Sequence, residues 1–230
     1  MVRQIHKPVA SLPQIPRFYR RLLTHFGKQH WWPGDTPFEI ILGAILTQNT
    51  NWKNVEKSLV NLRRVSALSP RSLARLPRRR LRSLLRPSGY FRQKAGTVTT
   101  FLDYLQRRYR HSVHRMFRSE TKRLRAELLN VRGIGEETAD SILLYAGRRP
   151  VFVIDAYTRR ILMRHGLAPL DAPYATLQKL FEENLPRNPA LYSEYHALLV
   201  ATGKRYCHRQ QPNCFTCPLE SELEKLYARV

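Results

Sequence analysis

Cysteine is scarce in this 230-residue sequence: there are three, Cys207, Cys214 and Cys217, all within eleven positions. An odd number in one tight cluster argues against a disulfide framework and for a metal or cluster site. Acidic residues are also few. Asp and Glu number 17 against 40 Lys and Arg, a formal charge of +23, with a pI near 10.8. That imbalance calls for a polyanionic partner, of which nucleic acid is the usual one. The arginines are spread along the chain and not gathered into one amphipathic basic helix, which argues against a membrane surface. No run approaches the roughly 18 apolar residues that span a bilayer. The opening MVRQIHKPVASLPQIP lacks the apolar stretch of a secretory leader, so the expectation is an intracellular, cytoplasmic protein, nucleoid-associated in a bacterium. Period-2 strands with hairpin turns, internal repeats and low-complexity tracts are all missing.

What the sequence does have is helical periodicity. PFEIILGAILT, VEKSLVNLRRV, RQKAGTVTTFLDYLQRRY, ETADSILLYAG, DAYTRRILMRHG and LYSEYHALLVATGKRY carry apolar residues at three- and four-residue spacing. Between them lie LSPRS, RPSGY, VRGIG, RRPV, LAPLDAP and PRNPA, which contain helix-stopping Gly, Pro and Ser. The one β-like piece, PVFVI at 150–154, is too short to found a sheet. The region before Asp35 reads as less regular and partly extended, since Pro33 and Gly34 break any helix through HWWPGD. The pattern predicts an all-α protein.

The strongest local signal is LLNVRGIGEETADSILLYA, residues 128–146. One helix ends near Asn130, Gly133-Ile134-Gly135 turns tightly, and a second helix opens near Glu136. Glycine permits the sharp turn and a close backbone approach. The unsatisfied N–H groups of the new helix then face outward with the positive end of its dipole behind them, a geometry that binds phosphate. Eighteen residues beyond Glu137, the apolar VFVI run ends in Asp155, which opens a basic helix. Asp155 is a good N-cap, and a capping carboxylate can still face a cleft.

Taken together these residues resemble the helix-hairpin-helix glycosylase superfamily that includes endonuclease III. GIGEETA at 133–139 followed by VIDAYTRR matches its hairpin and acidic position. LGAILTQNTNWKNVEKSL at 42–59 is similar to its barrel helix with a DNA-facing Gln. GYFRQKA at 89–95 and the C-x6-C-x2-C run complete the set. The combination of WWP, LTQNT, RPSGY, GIGEETAD and VID is most similar to the endonuclease-III-like 3-methyladenine DNA glycosylases, over about residues 30–217.

The resemblance implies two lobes: a helical barrel at 37–147 ending in the hairpin, and a second lobe from 1–36 plus 148–230, with DNA between them. Double-stranded DNA with a damaged base is the implied partner, met by a monomer with no membrane association. Gly133, Gly135, Glu136 and Thr138 would contact the backbone, Gln48 would fill the space left by a flipped base, and Asp155 would be the catalytic carboxylate. Trp31, Trp32, Pro33 and Trp52 would form the base pocket, since an electron-poor alkylated purine stacks well on electron-rich rings.

Two departures from the family pattern matter. Where the glycosylase/lyase branch carries a nucleophilic Lys, this chain has Glu137, and a carboxylate cannot form a Schiff base with C1′. The family's [4Fe-4S] loop has four cysteines, and the fourth position here is Leu223. A cluster at 207–217 would need another ligand, His208, Glu220 or Glu222; the chemistry itself calls for no cofactor. The expected function is therefore a monofunctional DNA N-glycosylase for alkylated purines such as 3-methyladenine. Two alternatives stand beside it: a glycosylase for oxidised or mismatched bases with weak lyase activity through Lys94 or Lys204, and a non-catalytic lesion-binding protein.

Overall fold

The computed structural model describes residues 12–32 and 34–227, with side chains to 223. Pro33, one of the expected pocket residues, lies outside the described residues. The helices run α1 (Gln14–Phe26), α2 (Pro37–Leu46), α3 (Trp52–Arg64), α4 (Pro70–Ala74), α5 (Arg78–Leu84), α6 (Phe91–Tyr109), α7 (Val113–Met116), α8 (Thr121–Leu129), α9 (Glu136–Ser141), α10 (Ala156–Arg164), α11 (Tyr174–Glu182), α12 (Pro189–Arg205) and α13 (Glu220–Tyr227). Among the described residues there is no strand, and no helix is long and apolar enough to cross a membrane. The fold is all-α. The chain divides into two compact units, Trp32–Arg149 and Met1–Trp31 with Pro150–Val230.

In the unit Trp32–Arg149, α2 is the central element. Its start is fixed by a cap: the Thr36 hydroxyl accepts from Glu39 N at 3.2 Å, Pro37 takes the first turn, and the Glu39 carboxylate reaches back to Asp35 N at 3.0 Å. Phe38, Ile41, Leu42, Ile45 and Leu46 form one buried stripe, and Glu39, Gly43 and Ala44 on other faces are buried too, so the helix is enclosed on most sides, as a core helix is. It packs against α3, α6 and α9. Beyond α9 the helix widens into a π turn over Ile142–Ala146, closed by Gly147 N donating to Ile142 O at 3.0 Å.

In the other unit α1 and α10 both pack on α12. The segment before Asp35, expected to be irregular, is helical over Gln14–Phe26 and irregular only after Gly27. Ile15, Phe18 and Leu22 form a buried stripe, which the surrounding arginines obscure in the sequence. Phe152 and Phe181 stack at 3.9 Å, with Tyr192 and Tyr195 edge-on to Phe152.

Val151–Ile154 is buried and belongs to no helix or strand. Side chains of α11 supply its backbone partners instead. Phe152 N donates to Glu182 Oε1 at 2.9 Å, Gln178 Nε2 donates to Phe152 O at 2.7 Å, and Ile154 N donates to Tyr174 Oη at 3.1 Å. Buried backbone groups must be satisfied somewhere. This way of doing so threads the chain through the core and fixes where the next residue, Asp155, emerges.

Candidate active site

Asp155 caps α10: its Oδ1 accepts from Thr158 N at 2.7 Å. The other oxygen, Oδ2, lies 3.7 Å from His196 Nε2 on α12, and the Asp155 side chain is 11% exposed. Burial holds the His196 imidazole below its ordinary range, while the Asp155 charge pulls in the opposite direction. The Thr158 hydroxyl beneath the cap is buried and has no hydrogen-bond partner among the described residues. Asp155 is thus a nearly enclosed carboxylate with one oxygen committed to a backbone amide. His196 was not singled out in the sequence; a lone histidine in a long helix gives no signal until the chain folds.

The hairpin lies in the other unit. Gly133 sits at φ +92°, and a Cβ there would run into the Thr97 side chain of α6. Glycine is required here on two separate grounds. Gly135 differs: its backbone is extended, and a Cβ would meet nothing within 4 Å. Gln48 Nε2 donates to Gly133 O at 3.0 Å and to Thr138 Oγ1 at 2.9 Å. Gln48 therefore braces the hairpin, and insertion into a base stack would require it to release both bonds. Thr138 is buried, its hydroxyl taken by Gln48, so any DNA contact from this position comes from its backbone. Glu136 and Glu137 are exposed in the first turn of α9. Arg125 lies 3.5 Å from Glu136 and makes two shorter bonds, 2.7 and 2.9 Å, to the buried Asp140.

Of the expected pocket rings, Trp32 and Trp52 come together, edge to face at 5.4 Å. A third ring, Tyr145, lies 4.8 Å from Trp32. Gly43 of α2 makes the room, since a Cβ there would stand 3.0 Å from Trp32 Nε1 and 3.3 Å from Trp52 carbons. Tyr145 belongs to the π turn, which has no signature in the sequence; such turns are frequent at functional sites. Trp31 is packed in the other unit, where its carbonyl accepts from Ser193 Oγ at 3.1 Å and Lys204 Nζ stands 5.6 Å over its ring. The other candidate amine, Lys94, is buried and donates to Ser88 O at 2.5 Å. Burial lowers its pKa to about 8, but its position is that of a structural brace.

Cys207, Cys214 and Cys217 line one cavity of about 20 Å³ together with Leu223, room for roughly one water. Two of the positions that could supply a fourth ligand do not do so. Leu223 offers only methyl groups, and Glu222 is buried and held by Arg17 and Arg21 at 3.0 and 3.1 Å. Among the described residues no three His, Cys, Asp or Glu side chains converge as a metal site. Arginines of α10 pin the loop instead: Arg160 donates to Cys207 O at 2.8 Å, and Arg164 donates to Cys207 Sγ at 3.1 Å and His208 O at 2.7 Å.

Residues 42–187, which include the glycine hairpin and the capping Asp155, match the model of the HhH-GPD superfamily of base excision DNA repair proteins. The chain belongs to that superfamily. A relative from Methanocaldococcus jannaschii, provisionally named a DNA repair glycosylase, is 41% identical over 208 residues, covering 90% of this chain and 94% of its own. Endonuclease III of Thermotoga maritima is 28% identical over 213 residues, 91% of this chain and 92% of that protein. Among solved structures, the H. pylori 3-methyladenine DNA glycosylase bound to 1,N6-ethenoadenine matches with a TM-score of 0.73 at 29% identity, over 84% of this chain and 96% of that one. An endonuclease III–DNA complex shares the fold, with a TM-score of 0.79 at 23% identity, over 94% and 98%. This HhH-GPD protein is a DNA glycosylase of base excision repair.

Proposed function

We propose that the chain is a monofunctional N-glycosylase for alkylated purines, acting on double-stranded DNA with 3-methyladenine as a representative lesion. The observation that carries the substrate class is the Trp32–Trp52–Tyr145 cluster. Alkylation leaves the purine electron-poor and often cationic, and such a ring stacks on electron-rich faces. Similarity to a 3-methyladenine DNA glycosylase supports the same reading. The monofunctional assignment rests on Glu137, which stands where the lyase branch carries its amine.

The reaction follows from these groups. Taking the base out of the stack costs a few kcal/mol, offset by stacking on the aromatic cluster and by phosphate contacts at the hairpin. As the glycosidic bond lengthens, positive charge grows on the sugar. The Asp155 carboxylate stabilises that charge and orients or deprotonates the attacking water. Thr158 N and the α10 cap hold one oxygen in place, leaving the other for the reaction. The base leaves with the bonding electron pair, and water supplies the hydroxyl at C1′.

Replacing Trp52 with Ala should lower excision of alkylated purines by roughly 1–3 kcal/mol, the worth of one stacking platform, while affinity for undamaged duplex changes little. Trp52→Phe should recover most of the loss. Single-turnover excision beside equilibrium binding makes the comparison; equal losses in both would assign the ring to packing against Gly43. The proposal as a whole is tested by incubating the enzyme with duplexes that each carry one lesion. Alkylated purines should be released, and the abasic strand should break only after alkali.

A further inference from the structure

Residues 70–118 contain fourteen Lys and Arg and a single carboxylate, Asp103. Arg71 of α4, Arg75 at its C-cap, and Arg78, Arg79, Arg80 and Arg82 on α5 are all exposed. At one end of this track a cavity of about 470 Å³ opens between α4 and the C-terminus of α6, lined by Arg71, Ala74, Arg75, Gln106, Arg110 and His111. Three guanidinium groups, an amide and an imidazole face it, with no carboxylate. Among the described residues, Arg71, Arg75 and Arg110 make no ion pair, and His111 Nδ1 is enclosed without a hydrogen-bond partner.

Cations near a helix C-terminus are favoured by its dipole, which accounts for Arg107, Arg108 and Arg110. It does not account for Arg71 and Arg75, which come from another helix to the same cavity. Arg110 and His111 also both adopt the left-handed conformation, at φ 53° and 62°, where glycine or asparagine costs less. The hairpin is elsewhere on α6, against Thr97. Nine residues of helix separate Thr97 from Gln106, about 14 Å at the α-helical rise.

We propose that this cavity is an accessory phosphate site, in which Arg71, Arg75, Arg110 and His111 hold phosphodiester oxyanions outside the hairpin's contact. Guanidinium forks match phosphate oxygens in geometry. The arginine track continuing along α5 suits a repeating anion, the backbone of nucleic acid, better than an isolated one. The inference rests on the protein binding DNA and not on which lesion it removes. The phosphate comes from a distant stretch of the bound duplex or from a second duplex.

The test compares wild type with the triple variant Arg71→Gln, Arg75→Gln, Arg110→Asn; asparagine tolerates the left-handed position. Affinity is measured on a duplex just long enough to cover the hairpin and on one several turns long, across a range of salt. The variant should excise from the short duplex at the wild-type rate. On the long duplex it should bind about tenfold or more weakly, with a salt slope reduced by about two to three. Capture of a second, bead-tethered duplex by enzyme bound to the short one assigns the phosphate to a second molecule. A gain confined to the single long duplex assigns it to the same one. Unchanged long-duplex affinity and slope, without capture, would overturn the proposal. So would loss of excision on the short duplex, which would place these arginines in the lesion complex itself.

Discussion

Asp155→Asn should leave the protein folded and able to bind lesion DNA near the wild-type affinity, while excision falls by about a hundred- to ten-thousand-fold, the range for loss of a catalytic carboxylate. The fold should survive because asparagine is as good an N-cap as aspartate, and the Oδ1 contact to Thr158 N can be made by an amide oxygen. What disappears is the charge. An amide neither stabilises a developing cation on the sugar nor takes a proton from water. His196, 3.7 Å from Oδ2, loses the anion that opposes its burial, so its pKa should drop further below the ordinary histidine range. That titration, followed by NMR, reports on the pair without reference to activity. Excision within tenfold of wild type would remove Asp155 from the mechanism.

The second large effect is expected at the hairpin, where its two glycines should behave differently. Gly133→Ala places a side chain at φ +92° and drives its Cβ into Thr97. Backbone strain of this kind costs of order 1–3 kcal/mol, and the overlap adds to it. The Gly133 carbonyl that accepts from Gln48 should shift, and with it the start of α9. The variant should melt lower and lose affinity for damaged and undamaged duplex alike, because phosphate contacts position without specifying. Gly135→Ala should melt like the wild type, since its Cβ enters open space. A bulkier residue there, such as Gly135→Leu, should weaken binding to every duplex by obstructing the approaching phosphate. Thermal melts beside binding isotherms separate the two effects. A Gly133→Ala protein with wild-type stability and affinity would show that the turn relaxes freely and that its conformation is not needed.

The parts of the molecule that could be read from the sequence are those whose cause is local. The apolar helix at PFEIILGAIL, the cap at Asp155 and the break at Gly133–Gly135 each follow from the residues present. Helix α1 is not legible in the sequence because its stripe of Ile15, Phe18 and Leu22 is diluted by arginines and becomes evident only against α12. The PVFVI run is β-like in sequence, but its partners, Glu182, Gln178 and Tyr174, stand twenty or more residues away and follow no spacing rule. The π turn that carries Tyr145 leaves no periodic trace. For Gln48 the resemblance implies a DNA-facing task; its bonds to Gly133 and Thr138 arise from packing between distant segments. Long-range pairings of this kind, His196 with Asp155 among them, depend on the fold as a whole.

The most direct measurement is single-turnover reaction of the pure enzyme with a duplex carrying one alkylated purine, split into three portions: untreated, treated with alkali, and quenched with borohydride. A monofunctional glycosylase releases the base, leaves an abasic strand that is intact until alkali cuts it, and traps no covalent protein–DNA complex, because Glu137 offers no amine. Strand cleavage without alkali, together with efficient borohydride trapping, would contradict this and show that an amine of the protein attacks C1′, with Lys204 the first to be replaced.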